Sequence, residues 1–386
     1  MDKKEKLFLI SWTMLLVGLF INNSKFIVYP YIKNASHIIQ IIATILVCFK
    51  ILWDLKDILK EEMGSLYKKI NYKVLFILII LFISFTITKA KGIVYFVCFL
   101  LGAKKEYIKN IIVYTFCTYL IMLCGVIFSY KLNIIPQAHV YRGENIRYSL
   151  GTVSPNYLMM CFFVLSSMYL LINYKEEMKL YNILGVIIIN LLLYCLTDSR
   201  AGFFLSLIVI IVYIMIRKNK VDKIIEKFKA FIIMVPIIFA IISVGIPVLS
   251  EYADLDKLDD IFSKRISISS QTIKDYGFSL FGKNIEWVGQ QSIEEINNEK
   301  KEYNYIDSSY LNFAINMGIG PFIILIVLLT MLNYLALKEN NKLYISLLIV
   351  MEIYGMIDSW LFCIENNFLW FIICEDINLI NSKKND

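Results

Sequence analysis

Long uninterrupted apolar blocks alternate with short charged stretches along the whole chain, as at 7–20, 74–83, 183–196 and 322–329. These blocks show neither the period of two of a half-buried strand nor the narrow apolar stripe of a surface helix, so they are hydrophobic all round. A hydrocarbon core roughly 30 Å thick takes about 20 residues of helix to cross, and a segment in lipid must pair its own backbone groups. With no alternation to build a barrel, the pattern predicts an all-α fold, a polytopic transmembrane helical bundle of about 12 helices. The helices are expected near 7–23, 35–53, 73–88, 91–103, 110–130, 155–173, 181–197, 200–217, 229–249, 310–337, 343–357 and 359–374. The segment 91–103 is short for a span, and the last two flank Asp358 as a kinked or re-entrant pair.

Lys and Arg accumulate on the side of a membrane from which loops are not translocated. With a cytoplasmic N-terminus, the inner segments hold 24 of the 39 basic residues and the short outer loops only 8. Both termini are therefore expected in the cytoplasm of a single membrane-embedded domain, 1–386. The outer face then carries the loop 131–154, the turn Thr197-Asp198-Ser199-Arg200 and the segment 250–309. That last segment, between helices 9 and 10, has twelve acidic and seven basic residues and is expected to form a partly helical extracytoplasmic cap.

Composition agrees with membrane residence, at 58% hydrophobic and 18% charged residues against about a quarter charged in soluble domains. The eight cysteines all fall in apolar blocks and encode no disulfide framework. The two histidines, His37 and His139, are too far apart to form a local metal motif, and no metal or cofactor is expected. The first block follows three lysines as a signal peptide would, but without a small-residue cleavage pattern it reads as a retained helix.

Basic inner loops serve as anchors near anionic lipid. The arginines run against this bias: Arg142, Arg147, Arg200 and Arg265 are four of the five and all lie on the outer side, with Arg217 the exception. A guanidinium fork suits bidentate phosphate recognition in a way a lysine does not. Arg200 leads this set, because it also opens a helix whose N-terminal amides favour an anion. Its alternative is snorkelling to lipid headgroups. Ser154 and Pro155 suit the N-cap and first turn of a helix, which gives Ser154-Pro155-Asn156 a structural reading beside a functional one. Asp307 and Tyr310 lead the long outer segment into the tenth helix, with Gly318 and Gly320 relaxing that helix below them.

The succession RYSLGTVSPNYL, LTDSRAGFFLSLIV, SKRISISSQTIKDYGFSLFGKN and YIDSSYLNFAINMGIGPF, over about 140–335, resembles the Wzy-type polysaccharide polymerase and O-antigen ligase superfamily. The resemblance implies a metal-independent glycosyltransferase of the bacterial cytoplasmic membrane, working on its outer face on oligosaccharides carried by polyprenyl diphosphate. A polymerase moves the growing chain onto the next repeat unit, whereas a ligase moves a finished chain onto another acceptor. Capsule, exopolysaccharide or O-antigen would be the product. Membrane lipids, a flippase and chain-length regulator proteins are the implied partners, and nucleic acid is not one. By position the diphosphate-holding arginines correspond to Arg200 and Arg147, with Arg265 their partner from the long segment and Arg142 nearby. The family often has His-Pro-Asn where this chain has Ser154-Pro155-Asn156, so the first position departs from the family's pattern and its role does not carry over.

Such a reaction needs fixed positive charge for the departing diphosphate and a base for the acceptor hydroxyl. Asp307 is the first candidate base, Glu144 the second and His139 the third, with Asn156 and Tyr310 expected in the same cleft. As an alternative role, Asp307 would cap the tenth helix. The rival function is the repeat-unit flippase, a transporter of similar span number. Against it, there is no internal repeat, and the helix interiors hold few charges, Glu352 and Asp358 being the exceptions.

Overall fold

A computed structural model describes residues 1–61, 72–136, 139–142, 145–174, 178–250, 252–253, 255–261, 264–289 and 303–374. Candidate base Glu144 and much of the acidic stretch 290–302 lie outside these residues. The protein is an all-α polytopic membrane protein: among the described residues, eight helices are long and apolar enough to cross a membrane.

In chain order the helices are α1 (Lys3–Asn22), α2 (Pro30–Glu61), α3 (Tyr72–Thr88), α4 (Lys91–Gly102), α5 (Ile108–Lys131), α6 (Pro155–Ile172), α7 (Leu180–Thr197) and α8 (Arg200–Arg217). They continue as α9 (Asp222–Lys227), α10 (Lys229–Leu249), α11 (Asp256–Ile261), α12 (Arg265–Tyr276), α13 (Ser309–Asn316), α14 (Ile319–Lys338) and α15 (Lys342–Ile357). α2 begins five residues before its expected start, at Pro30, whose fixed φ and missing N–H fit a first helical turn. α6 sits at the centre with nearly every side chain buried, packed against α5, α7 and α8.

One end of the bundle is tied by ion pairs. Asp54 accepts Lys4 at 2.8 Å, Lys50 at 2.6 Å and Lys104 at 3.4 Å. Lys105 pairs with Glu339, and Lys342 with Asp222 at 2.6 Å. These are the lysine-rich loops expected on the inner side. The expected outer features all meet at the opposite end.

Two expected helices take another form. The apolar run 310–337 is broken at Gly318, whose φ of +94° ends α13 and restarts the chain as α14. The backbone of 279–283 lies in that break: Ile319 N donates to Ser279 O and Gly320 N to Leu280 O, both at 2.9 Å, and Lys283 N to Asn316 O at 3.0 Å. A Cβ at Gly318 would stand 2.3 Å from Gly282 N, so glycine is needed there to let two backbones touch.

The run 359–374 is not a helix but a chain of turns ending in a 3-10 turn, Phe368–Ile373. It descends from Trp360, whose ring meets Tyr157 at 5.3 Å, to Phe371, whose ring meets Trp12 at 5.0 Å. Irregular backbone at membrane depth survives only inside protein, and here almost all of 366–374 is buried. Side chains supply what a helix would have supplied: Asn367 Nδ2 and Trp370 Nε1 both donate to Leu361 O at 3.1 Å. The outer loop 131–154 also gains structure that apolar patterning does not announce, an antiparallel hairpin of β1 (His139–Arg142) and β2 (Asn145–Tyr148).

Candidate active site

Three elements expected on the outer side converge at one mouth: the β1–β2 hairpin, the α7–α8 turn, and the cap together with the connection that follows α15. In the hairpin, Val140 pairs with Arg147, and both face inward and are buried. The turn is made by Asp198, which closes α7 in the left-handed conformation at φ +45°, a position that Asp tolerates better than most residues. It therefore turns its carbonyl and carboxylate toward the hairpin. Arg142 NH1 donates to Asp198 O at 2.9 Å and to its Oδ2 at 3.2 Å.

Arg147 is 2% exposed. Its Nε donates to Thr197 O and its NH2 to Asn156 Oδ1, both at 2.7 Å. Asn156 also accepts from Ser199 Oγ at 3.1 Å, so one amide oxygen joins α6, the hairpin and the α7–α8 turn. Ser154 caps α6 through Tyr157 N at 3.1 Å, with Pro155 in the first turn, which confirms the structural reading of that motif. No carboxylate among the described residues pairs with Arg147. Burial, then the neighbouring Arg142, press its pKa down to about 10.

Across the mouth, Arg265 opens α12, and its Nε donates to Asp307 Oδ2 at 2.6 Å. Burial works against its charge, but Asp307 outweighs it and holds the guanidinium pKa above its ordinary value. Asp307 Oδ1 accepts from Tyr303 OH at 3.2 Å. Asp307 is not the cap of α13, since Ser308 occupies that position.

A cavity of about 500 Å³ lies between these groups. Arg142, Arg147 and Arg265 line it together with Asn156, Asp307 and Asp358. Arg200 does not. Its side chain is 67% accessible and reaches only Asp198, at 3.9 Å, so it stands on the outer rim. His139 lies at the far end of the hairpin with its ring 5.1 Å from that of Tyr148, away from the lining. Tyr310 is buried in the core beneath, its ring 5.8 Å from that of Phe362. The cavity thus gathers three of those four arginines; Arg142 pairs with Asp198 and Arg265 with Asp307, while Arg147 has no carboxylate within ion-pair distance among the described residues. Such a site suits a multiply charged anion.

The O-antigen ligase family model, Wzy_C, matches residues 184–326, which run from α7 through the cap to α14. The matched region, a little over a third of the chain, is similar to that family. No curated protein and no solved structure matches it. The matched span contains Arg200, Arg265 and Asp307.

Several lining residues escaped sequence reasoning. Tyr303, Tyr305, Asp358 and Trp360 all face the cavity. Tyr305 OH bonds Ser359 Oγ, and Ser309 Oγ donates to Asp358 O at 2.5 Å, which pins the segment after α15 to the start of α13. The one available signal was IDSW at 357–360, an acid, a small polar residue and an indole ending an apolar run.

Proposed function

We propose that this protein is a polysaccharide polymerase that joins polyprenyl-diphosphate-linked oligosaccharide repeat units on the outer face of the bacterial cytoplasmic membrane. The observation that carries the reading is Arg147: a buried guanidinium, unmatched by a carboxylate among the described residues, facing a cavity it shares with Arg142 and Arg265. A buried charge without a counterion is unfavourable, so the site gains most when a dianionic group arrives. The donor's diphosphate is such a group. Its lipid tail remains in the bilayer while its sugar enters the cavity.

In the transfer, an acceptor hydroxyl attacks the anomeric carbon of the donor sugar, and the bond from that carbon to the diphosphate oxygen breaks. The leaving oxygen takes the electron pair. Arg147, Arg142 and Arg265 are held in place beforehand by Thr197, Asn156, Asp198 and Asp307, so they stabilise that charge without reorganising. This direct stabilisation makes the reaction metal-independent in our reading. Asp307 is committed through both oxygens, and it acts here by fixing Arg265. Arg200, on the rim, meets the diphosphate on its way in.

The test is reconstitution in liposomes with one purified polyprenyl-diphosphate-linked repeat unit. A ladder of products lengthening by one repeat at a time is expected. A single capped product would instead indicate a ligase, and relocation of the lipid without bond formation would indicate a flippase.

A further inference from the structure

We infer that Asp358 is the group that takes the proton from the acceptor hydroxyl, with Trp360 and Tyr305 beside it forming the subsite for the acceptor sugar. This rests on the transferase reading above. Of the two carboxylates in the cavity, Asp307 has both oxygens engaged, by Arg265 and Tyr303. Asp358 has no cation within ion-pair distance among the described residues. Its Oδ1 accepts its neighbour's amide, Ser359 N at 2.9 Å, and the Trp360 indole lies beside it. Its backbone is fixed by Ser309 Oγ, which also accepts from Leu361 N at 3.1 Å, so the carboxylate is delivered to the cavity by a braced turn rather than by a loose tail.

The setting around it is consistent with binding of a sugar hydroxyl. The Trp360 indole N–H is buried with no well-formed hydrogen bond among the described residues, and it lies close enough to Asp358 to favour the charged carboxylate. Aromatic faces with a polar edge, as in Trp and Tyr, combine apolar contact with a directed donor, which matches a pyranose ring with its apolar face and equatorial hydroxyls. Beneath Asp358, a space of about 20 Å³ is lined by Tyr354, Asn366 and Asn367. Tyr354 OH, Asn366 Nδ2 and Asn367 Oδ1 there have no partner among the described residues. A space of that size with several polar partners suits one water, which would solvate the carboxyl from behind while its cavity side meets the acceptor.

Burial, then repulsion from Asp307, push the Asp358 pKa up to about 7, with Arg265 opposing. The other titratable groups facing it are Tyr305 across the cavity, Tyr354 on α15 and Cys363 on the descending segment. A base near neutral pKa is well matched to general-base work. The step balances: the hydroxyl oxygen bonds to the anomeric carbon, its proton passes to the Asp358 carboxylate, and the diphosphate leaves with the electron pair of the broken bond.

The test uses full-length protein in nanodiscs, a polyprenyl-diphosphate-linked repeat unit, and single-turnover transfer rates from pH 5 to 9. In the wild type the rate should rise with pH along a limb centred near 7, as Asp358 ionises. Asp358→Asn should lower the rate by about 10²–10⁴-fold and lose the limb, with donor binding unchanged. Asp307→Asn, which removes a negative charge from beside Asp358, should move the limb of its remaining activity to lower pH. An Asp358→Asn variant that keeps the limb, or a rate within about threefold of wild type, overturns the assignment. Should that variant fail to assemble, an Asp307→Asn limb that stays in place or rises overturns it instead. If the wild type itself transfers no sugar, the transferase reading falls first, and this inference falls with it.

Discussion

Arg147 and Arg200 differ by what surrounds them, although both are outer-face arginines in a lysine-rich chain. Arg147 is enclosed and hydrogen-bonded to two elements, and Arg200 is exposed on the rim. Removing a pre-positioned donor to developing charge typically costs about 10²–10³ in rate. Arg147→Met is therefore expected to lower transfer by at least that factor, and Arg200→Ala by about tenfold or less, measured as product formed per turnover in liposomes. Asp358 supplies a second contrast. A carboxyl whose pKa in the fold lies above its unfolded value holds its proton preferentially in the fold, so stability declines as pH rises from about 4 toward 7. Asp358→Asn removes that penalty. The variant should exceed wild type in stability at pH 8, on the order of 4 kcal/mol, and lose the advantage at pH 4, as read from thermal unfolding in detergent.

At the scale of elements, the junction of α13 and α14 is where the cap is seated on the bundle. Gly318→Ala would push a Cβ into the backbone of Leu280 to Gly282 at a φ that alanine adopts poorly. The expected cost is at least about 2 kcal/mol, seen as a lower unfolding temperature together with lost transfer, because the same contact carries the chain that bears Arg265 and Asp307. This junction also marks what the sequence could and could not disclose. Period and length alone were enough for α1, α3 and α5 to α8, whose apolar blocks are long and sharply bounded. The glycine at 318 was visible, but its role was set by a strand of backbone 36 residues earlier in the chain, and no local pattern encodes that contact. The run 359–374 read as a helix for the same reason, since the side-chain bonds from Asn367 and Trp370 that replace helical ones depend on tertiary packing.

For the molecule as a whole, three of the four arginines that the sequence segregates to one side share one cavity. Which ones share it was not legible, because Arg147 enters through a hairpin register and Arg200 is turned away by the geometry at Asp198. The partner residues 358 and 360 come from the far end of the chain, beyond the span in which the motifs cluster. The lysine-rich network of Lys4, Lys50, Asp54, Lys104 and Lys342 lies at the opposite end, which the charge bias assigns to the cytoplasm. In a background without the native cysteines, Tyr252→Cys should react with a membrane-impermeant maleimide on intact cells, and Asn340→Cys only after permeabilisation. The reverse pattern would invert the protein and remove the site from the outer face.

The whole account depends on a cavity whose guanidinium groups grip a lipid-borne diphosphate. The most direct measurement is the affinity of the purified protein for a fluorescent short-chain prenyl diphosphate, compared between wild type, Arg147→Met and Arg217→Met. Arg217 lies at the other end of α8 and serves as the charge-matched control. The account predicts at least about tenfold weaker binding for Arg147→Met, consistent with loss of a charged hydrogen-bonding partner, and unchanged binding for Arg217→Met. Equal affinity in all three proteins would contradict it.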